Sequence, residues 1–553
     1  MSVASVLQVR VLIVGAGPVG LTLAIDLAWR GIDVTVVETR ARATPPEPKC
    51  NHVAARTMEI FRRLGIAEKI RNAGLPADYP HDISYRTSFT GQELTRIKIP
   101  CRRDRFTATD AADSNWPTPE PPHRINQIFL EPILFEHAAA QKRITIINRA
   151  TVEDVVVEDA GASVSLRDLD SGAVTRADCR FLIGCDGARS VVRKAIGAEF
   201  SGDAIIQRVQ STFIRAPGLI DRQQHQSAWG TGAINPRRSG MVYAIDGSER
   251  WLVHNYLRPN EEDFEAVDRD GCLRTILGVD ADFKYEIISK EDWFGRRLIS
   301  NKFRDRSAFI AGDASHIWVP YAGYGMNAGI ADAMNLSWLL AAHLNGWAPE
   351  AILDAYEAER WPITSQVSRF AMSHAEAEIK RRGAVPAEIE EEGPFGEAAR
   401  QQVGQLTYEI NVQQYACAGL NFGAYYDASP IIAYDGAAQP SYTMSSYTPS
   451  TVPGCRTPHF VRDDGISLYD AMGPEFTLLR FDPDIDVTAL SRAAAAKGVP
   501  LSILDVRQPA TAAYEGGRLV LSRPDQHVAW RGDAVPADPA SLIDRVRGAG
   551  ASR

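Results

Sequence analysis

The sequence predicts a multidomain α/β fold, and three observations predict it. Residues 9–14 form an apolar, β-branched run that passes at once into Gly15-Ala16-Gly17-Pro18-Val19-Gly20 and a helical pattern. Two later apolar runs end at Asp186 and Asp313, each beside a glycine. Beyond a stretch rich in Ser, Tyr, Pro and Thr at 436–453, a strand-helix-strand pattern starts afresh. A chain of 553 residues is too long for one core, so two or three domains are expected.

The first segment has the order of a Rossmann-type start. Gly15 permits a tight turn after the strand, Gly17 leaves room for a phosphate against the backbone, and Gly20 lets the helix approach the sheet. The helical pattern over 19–29 stops at Gly31, and its N-terminus offers unpaired N–H groups and partial positive charge to phosphate. A second strand, 34–37, ends in Glu38, about 20 residues on, where a carboxylate accepts a ribose diol. This pattern alone does not separate FAD from NAD.

The second segment, Phe181-Leu182-Ile183-Gly184-Cys185-Asp186-Gly187-Ala188-Arg189-Ser190, is a strand with Arg193 on the helical turn that follows. The third, Ser307-Ala308-Phe309-Ile310-Ala311-Gly312-Asp313, runs on through Pro320 to Gly323-Tyr324-Gly325-Met326-Asn327 and a helix over 327–344. Met326 and Asn327 fall where that helix begins, so their N–H groups lack partners within it and the local field favours negative charge. A reduced flavin carries such charge along its N1–C2=O2 edge.

Together these segments resemble the fingerprints of the group A flavoprotein monooxygenases, the para-hydroxybenzoate hydroxylase class, over residues 1–380. The resemblance implies that Gly15, Gly17, Pro18, Val19, Gly20, Glu38 and Arg40 hold the ADP half of FAD. It puts Arg56, Arg124, Gln127, Asp186 and Gly187 near the cofactor, the last two also near the NAD(P)H path. Asp313 with Gly312 would bond the ribityl chain, and Pro320, Gly323, Gly325, Met326 and Asn327 would border the flavin ring. Arg124-Ile125-Asn126-Gln127-Ile128-Phe129-Leu130-Glu131 carries the Arg and Gln of that set, and Arg56-Thr57-Met58-Glu59 the start of the second helix. Asn51 and His52 fall where some members assist phenol deprotonation, and the carbonyl of Pro320 where they hold the substrate hydroxyl. One departure is Ala322, which stands where the family usually has the first glycine of a Gly-Gly pair.

The implied function is an FAD-dependent aromatic hydroxylase. It would use NADPH or NADH and O₂ to hydroxylate a phenolic ring through a C4a-hydroperoxyflavin. The implied division has FAD-binding residues 1–84, 123–200 and 301–380 interleaved with a mixed β-sheet substrate domain of 85–122 and 201–300. A helical and linker segment, 381–453, then leads to residues 454–553. Strand-like runs at 241–245 and 251–256 belong to the substrate sheet, with Trp229, Tyr243, Tyr256, Trp293 and Phe294 as candidate walls. The tail, with strands at 477–481, 501–504 and 518–521 and a helix at 487–497, resembles the C-terminal thioredoxin-like domain of the phenol hydroxylase subgroup. Lacking a Cys-x-x-Cys pair, it is expected to be structural or part of a homodimer contact. Every flavin motif precedes it, so cutting the chain near Gly454 is expected to reduce stability or assembly more than chemistry, and a folded truncated chain to keep FAD and activity.

Composition narrows the alternatives. A net charge of −9 disfavours nucleic acid and anionic membranes, and no apolar stretch reaches the roughly 20 residues of a membrane span. No signal peptide is read at the N-terminus. Seven scattered cysteines point to reduced thiols in the cytoplasm, with no metal site. A disulfide reductase would share the glycine motif but needs a cysteine pair. Two other readings stay open: a related enzyme acting on an antibiotic or polyketide quinone by hydroxylation or Baeyer–Villiger insertion, and a flavin-bound accessory protein without oxygenase activity.

Overall fold

The computed structural model describes residues 6–42, 44–49, 51–506, 512–514 and 516–550. Its first sheet has a parallel core of Ala308–Ile310, Val174–Gly184, Leu7–Val14, Val34–Glu38 and Ile144–Asn148, in that spatial order. The chain leaves Leu7–Val14 toward Val34–Glu38 on one side, while Val174–Gly184 lies on the other. The crevice at the carboxyl end of Leu7–Val14 is therefore a topological switch point. Register aligns the three motifs: Val14 pairs with Gly184, and Gly184 with Ile310. All three turns thus leave the sheet at one level.

Helix Pro18–Trp29 begins with proline at its first turn, where the missing N–H costs nothing, and is buried on nearly every face. It packs against the long helix Tyr324–Leu344. The latter starts three residues before the expected 327. Helix Ala355–Arg382, which the sequence did not announce, runs through Pro362.

The second sheet has the order Glu286–Lys290, Gln207–Arg215, Arg250–Tyr256, Gly240–Ala244, Gly230–Ala233, Ile83–Arg86 and Glu93–Ile97, with Trp293–Gly295 also on Gln207–Arg215. The strand Ile83–Arg86, which a division at residue 84 would cut, lies wholly in this sheet.

The tail folds as Phe476–Arg480, helix Thr488–Ala496 and parallel Leu501–Asp505, then the hairpin Leu519–Ser522 and Val528–Gly532 and helix Pro539–Val546. This is the expected thioredoxin-like arrangement. The 436–453 stretch has no helix or strand, yet Met444, Thr451 and Val452 in it are buried. Among the described residues no helix is long and apolar enough to cross a membrane, and the six described cysteines are free.

Candidate active site

The three motifs touch one another through their glycines. Gly15 has φ +101°, and a Cβ there would lie 2.4 Å from the Cys185 carbonyl oxygen. A Cβ on Gly20 would lie 2.0 Å from the Gly15 oxygen. Val19 wedges into the third motif: a Cβ on Gly329 would meet its Cγ2 at 2.6 Å and the Gly312 Cα at 2.9 Å. Gly17 differs, since a Cβ there would meet nothing within 4 Å. The open space beside it lies at the N-terminus of helix Pro18–Trp29, where backbone N–H groups await an anion.

Glu38 closes the ribose end. Its carboxylate accepts the Ala16 N–H at 2.9 Å and the Arg40 N–H at 2.8 Å. Burial opposes its charge, but the bonds from Arg40 and Ala16 hold its pKa below the ordinary value. Arg40 pairs with both Glu38 and Glu131, and Gln127 donates to Glu131 at 3.0 Å. A cavity of about 380 Å³ opens here, lined by Ala16, Glu38, Arg40, Thr44, Glu131 and Phe135.

Asp186 accepts the Val191 N–H at 2.7 Å, while its other oxygen is buried without a partner and burial lifts its pKa. Beside it Gly187 takes φ +72°. Arg193 ties the second motif to the third, donating to the carbonyls of Ala188 and Ala314 at 3.0 and 3.3 Å.

Asp313 has no hydrogen-bond or ion-pair partner among the described residues. Its side chain is exposed, while nearby protein desolvates it enough to push its pKa up, against His316 and Lys49. An exposed, partnerless carboxylate at the head of the third motif is free to accept a polyol hydroxyl. Asp313→Ala is therefore expected to raise the FAD dissociation constant about ten- to a hundredfold, the worth of one charge-assisted bond. Calorimetric titration of flavin-free protein measures this, and an unchanged constant would refute the assignment.

At the head of helix Tyr324–Leu344, Gly323 takes φ +62°, and a Cβ on it would lie 2.8 Å from the His52 Cβ. Asn327 turns out to be a staple. Its amide accepts the Ala54 N–H at 2.8 Å and donates to the carbonyls of His52 and Gly323 at 3.0 and 2.7 Å. A Cβ on Gly325 would meet nothing within 4 Å, so the helix N-terminus is open beside it. Pro320 is exposed and begins the turn Tyr321–Gly323; the side chain of Ala322 lies outside the described residues.

His52 meets Arg124 through Nδ1, and Arg124 in turn donates to buried Asp113 at 3.1 Å and lies 5.1 Å from the Trp229 ring. Asn51 accepts a bond from Asn126, which caps helix Gln127–Ala139. Arg56 bonds Glu59, Gln526 and the Asp525 carbonyl, on the side of the C-terminal domain, and lines a small pocket with Tyr324 and Asn327.

Across the cleft, the second sheet presents an aromatic face. Pairing sets Val209 opposite both Tyr256 and Trp293, so these share one face. Trp229, Tyr243, His254 and Trp293 follow in ring contacts of 5.3, 5.6 and 5.8 Å. His254 and Tyr256 retain accessible surface although protein surrounds them; desolvation pushes the His254 pKa down to about 4 and Tyr256 well above its usual value. Phe294 does not join them: adjacent to Trp293 on a strand, it faces the other way, against Phe264 at 5.2 Å and 45% exposed. The sequence reading missed Arg382, which sits 4.2 Å over Tyr256 and donates to Tyr321 and Gln207 at 2.9 and 2.7 Å. Nothing in the sequence marks the end of helix Ala355–Arg382 as a neighbour of that sheet.

Open space at Gly17, the ribose carboxylate, the partnerless Asp313 and the open helix head together fit FAD. Comparison with known proteins points the same way. A family profile described as "FAD binding domain" matches residues 8–371, and one described as "Aromatic-ring hydroxylase, C-terminal" matches residues 450–549. The chain is 30% identical to the tetracenomycin B2 monooxygenase-dioxygenase of Streptomyces olivaceus, over 98% of each chain. It is 29% identical to the phenol 2-monooxygenase of a Pseudomonas species, over 98% of this chain and 92% of that one. Its fold matches the rebeccamycin biosynthetic enzyme RebC, solved with reduced flavin, at a TM-score of 0.89 and 32% identity, covering 99% of this chain and 100% of that one.

Proposed function

The chain belongs to the FAD-dependent aromatic-ring hydroxylases, and from that premise we propose that it hydroxylates a phenolic ring held between the flavin motifs and the aromatic sheet face. The observation that carries this reading is the partnerless, accessible Asp313 among three converging glycine turns, together with the aromatic run from Trp229 to Trp293. Held by the Gly15–Gly20 turn, Glu38, Asp313 and the head of helix Tyr324–Leu344, FAD would supply the redox chemistry, accepting hydride from NAD(P)H and activating O₂ so that one oxygen atom enters the ring and the other leaves as water. The protein supplies position and field. The head of helix Tyr324–Leu344 favours negative charge near it. His254 is neutral near pH 7 and offers the ring an uncharged neighbour. We assign Asn51 and His52 to polarising the phenolic hydroxyl and the Pro320 carbonyl to accepting its hydrogen bond. The enclosing aromatic wall keeps water away from the reacting atoms.

The length of the aromatic face favours a multi-ring phenol. Its rings run from Trp293, past Gln207–Arg215, over Arg250–Tyr256 and Gly240–Ala244, to Trp229 just before Gly230–Ala233, across five strands or about 19 Å at roughly 4.8 Å per strand. The relatives named for tetracenomycin and rebeccamycin support the same preference. The family resemblance also suggests a homodimer, and free cysteines suit a reducing compartment such as the cytoplasm.

The purified protein is expected to be yellow with about one FAD per chain. A panel of simple phenols, hydroxyphenylalkanoates and polycyclic phenols or quinones tests the reaction by NAD(P)H consumed against hydroxylated product mass. Product is expected in near-equal amount to NAD(P)H for the polycyclic members. A flavin-loaded protein that yields no oxygenated product from any member would favour the accessory reading.

A further inference from the structure

The C-terminal domain reaches the flavin site through a buried chain of charged and polar side chains. Its hairpin places Arg523, 0% exposed, in a two-pronged bond with Glu359 of helix Ala355–Arg382, at 2.6 and 2.8 Å. Asp525 braces the same guanidinium at 2.7 Å. Glu359 also accepts the Asn335 amide at 2.7 Å, and that amide reaches the Tyr426 hydroxyl at 3.3 Å. The Tyr426 hydroxyl lies beside the Arg360 guanidinium and interacts with it electrostatically, and Arg360 donates to Asp332 at 2.9 Å. Asp332 ends the chain on the third flavin motif: it accepts the Gly312 N–H at 3.2 Å and meets His316 at 2.7 Å.

The direction of the chain has physical content. Gly312 sits at φ +62° directly before Asp313, so its N–H fixes the turn that aims the Asp313 carboxylate. Burial works against the charged form of Asp332, yet His316 and Arg360 hold its pKa below the ordinary range. A carboxylate kept charged is a firmer acceptor for the Gly312 N–H. Each link is buried, where an unmade bond is costly, so the members are held in one arrangement.

We propose that the hairpin of the C-terminal domain is a positioning element of the flavin site, acting through Arg523, Glu359, Asn335, Tyr426, Arg360 and Asp332 on the Gly312–Asp313 turn. This goes beyond the functional reading, because it holds whatever the substrate. Tyr426→Phe removes one hydroxyl from the middle of the chain and leaves the ring against His527 and Arg523. Arg523→Lys keeps the charge and loses the two-pronged geometry. Glu475→Gln serves as control, since its bond to Arg30 joins the same two domains outside the chain. In full-length, flavin-free protein, amide exchange of the peptide containing Gly312 is expected to quicken about three- to tenfold in Tyr426→Phe and Arg523→Lys, with a similar rise in the FAD dissociation constant. Glu475→Gln should lower the melting temperature and move neither readout. Should both variants behave as Glu475→Gln does, the proposal is overturned. If Arg523→Lys fails to fold, Tyr426→Phe decides by the same criterion.

Discussion

Gly17→Ala is expected to strip the protein of FAD while leaving the flavin-free fold as stable as before, and Gly15→Ala to damage both. At Gly17 the backbone is extended, φ −74° and ψ 179°, which alanine adopts freely, and a methyl group would meet no protein atom within 4 Å. The only thing it would meet is the pyrophosphate that belongs at the helix N-terminus. Losing the close backbone approach forfeits several charge-assisted bonds, each worth about 1.5–3 kcal/mol, so affinity should fall by more than about a hundredfold. At Gly15 alanine would bear a left-handed φ of +101° and press a methyl group 2.4 Å from the Cys185 oxygen. That oxygen belongs to a strand end fixed by the Cys185 N–H bond to Val14 at 2.8 Å, so the turn cannot yield cheaply. Melting of the two flavin-free variants, with FAD titration of each, tests the contrast. A large loss of stability in flavin-free Gly17→Ala would show that its open space is not the phosphate site.

Much of the nucleotide site was legible because its signals are local. A strand, a glycine turn and a helix lie within thirty residues, and each glycine answers a constraint set by the turn itself. The pairing of Val14 with Gly184 and of Gly184 with Ile310 then had only to bring three readable turns together. Trp293 and Phe294 show a rule that was available and not applied. Neighbours on a strand face opposite ways, so the pair could not both line one pocket. Arg56 shows what no local rule supplies. Its direction is decided by Asp525 and Gln526, more than four hundred residues away, and the bond between Arg523 and Glu359 joins residues 164 apart. Arg382 was invisible for the same reason, since its helix meets the aromatic sheet only in three dimensions.

The tail is bound into the fold more tightly than its position after every flavin motif suggested. Ending the chain before Gly454 was expected to cost stability or assembly more than chemistry; the structure predicts that the loss of stability reaches folding itself. The main core runs without a break from the flavin sheet into the tail, taking in Phe476, Leu478, Leu519, Leu521 and Ile543. Trp338 and Trp347 each pack edge-on against Phe476, Ile352 lies under Gly548, and Tyr426 packs at a tilt against His527 at 4.4 Å. Exposing those four side chains forfeits roughly 6–12 kcal/mol, at about 1.5–3 each, which is the size of a domain's whole stability. The Ala433 N–H would lose the Ala529 carbonyl, and Glu59 and Glu359 would lose Arg456 and Arg523. Expression of residues 1–453 is expected to give aggregated, colourless protein, and co-expression of residues 454–553 to restore some yellow, soluble complex. Solubility, flavin content and a melting transition are the measurements. A truncated chain that is monodisperse, loaded with FAD and cooperative in melting would show that the tail is a separable domain after all.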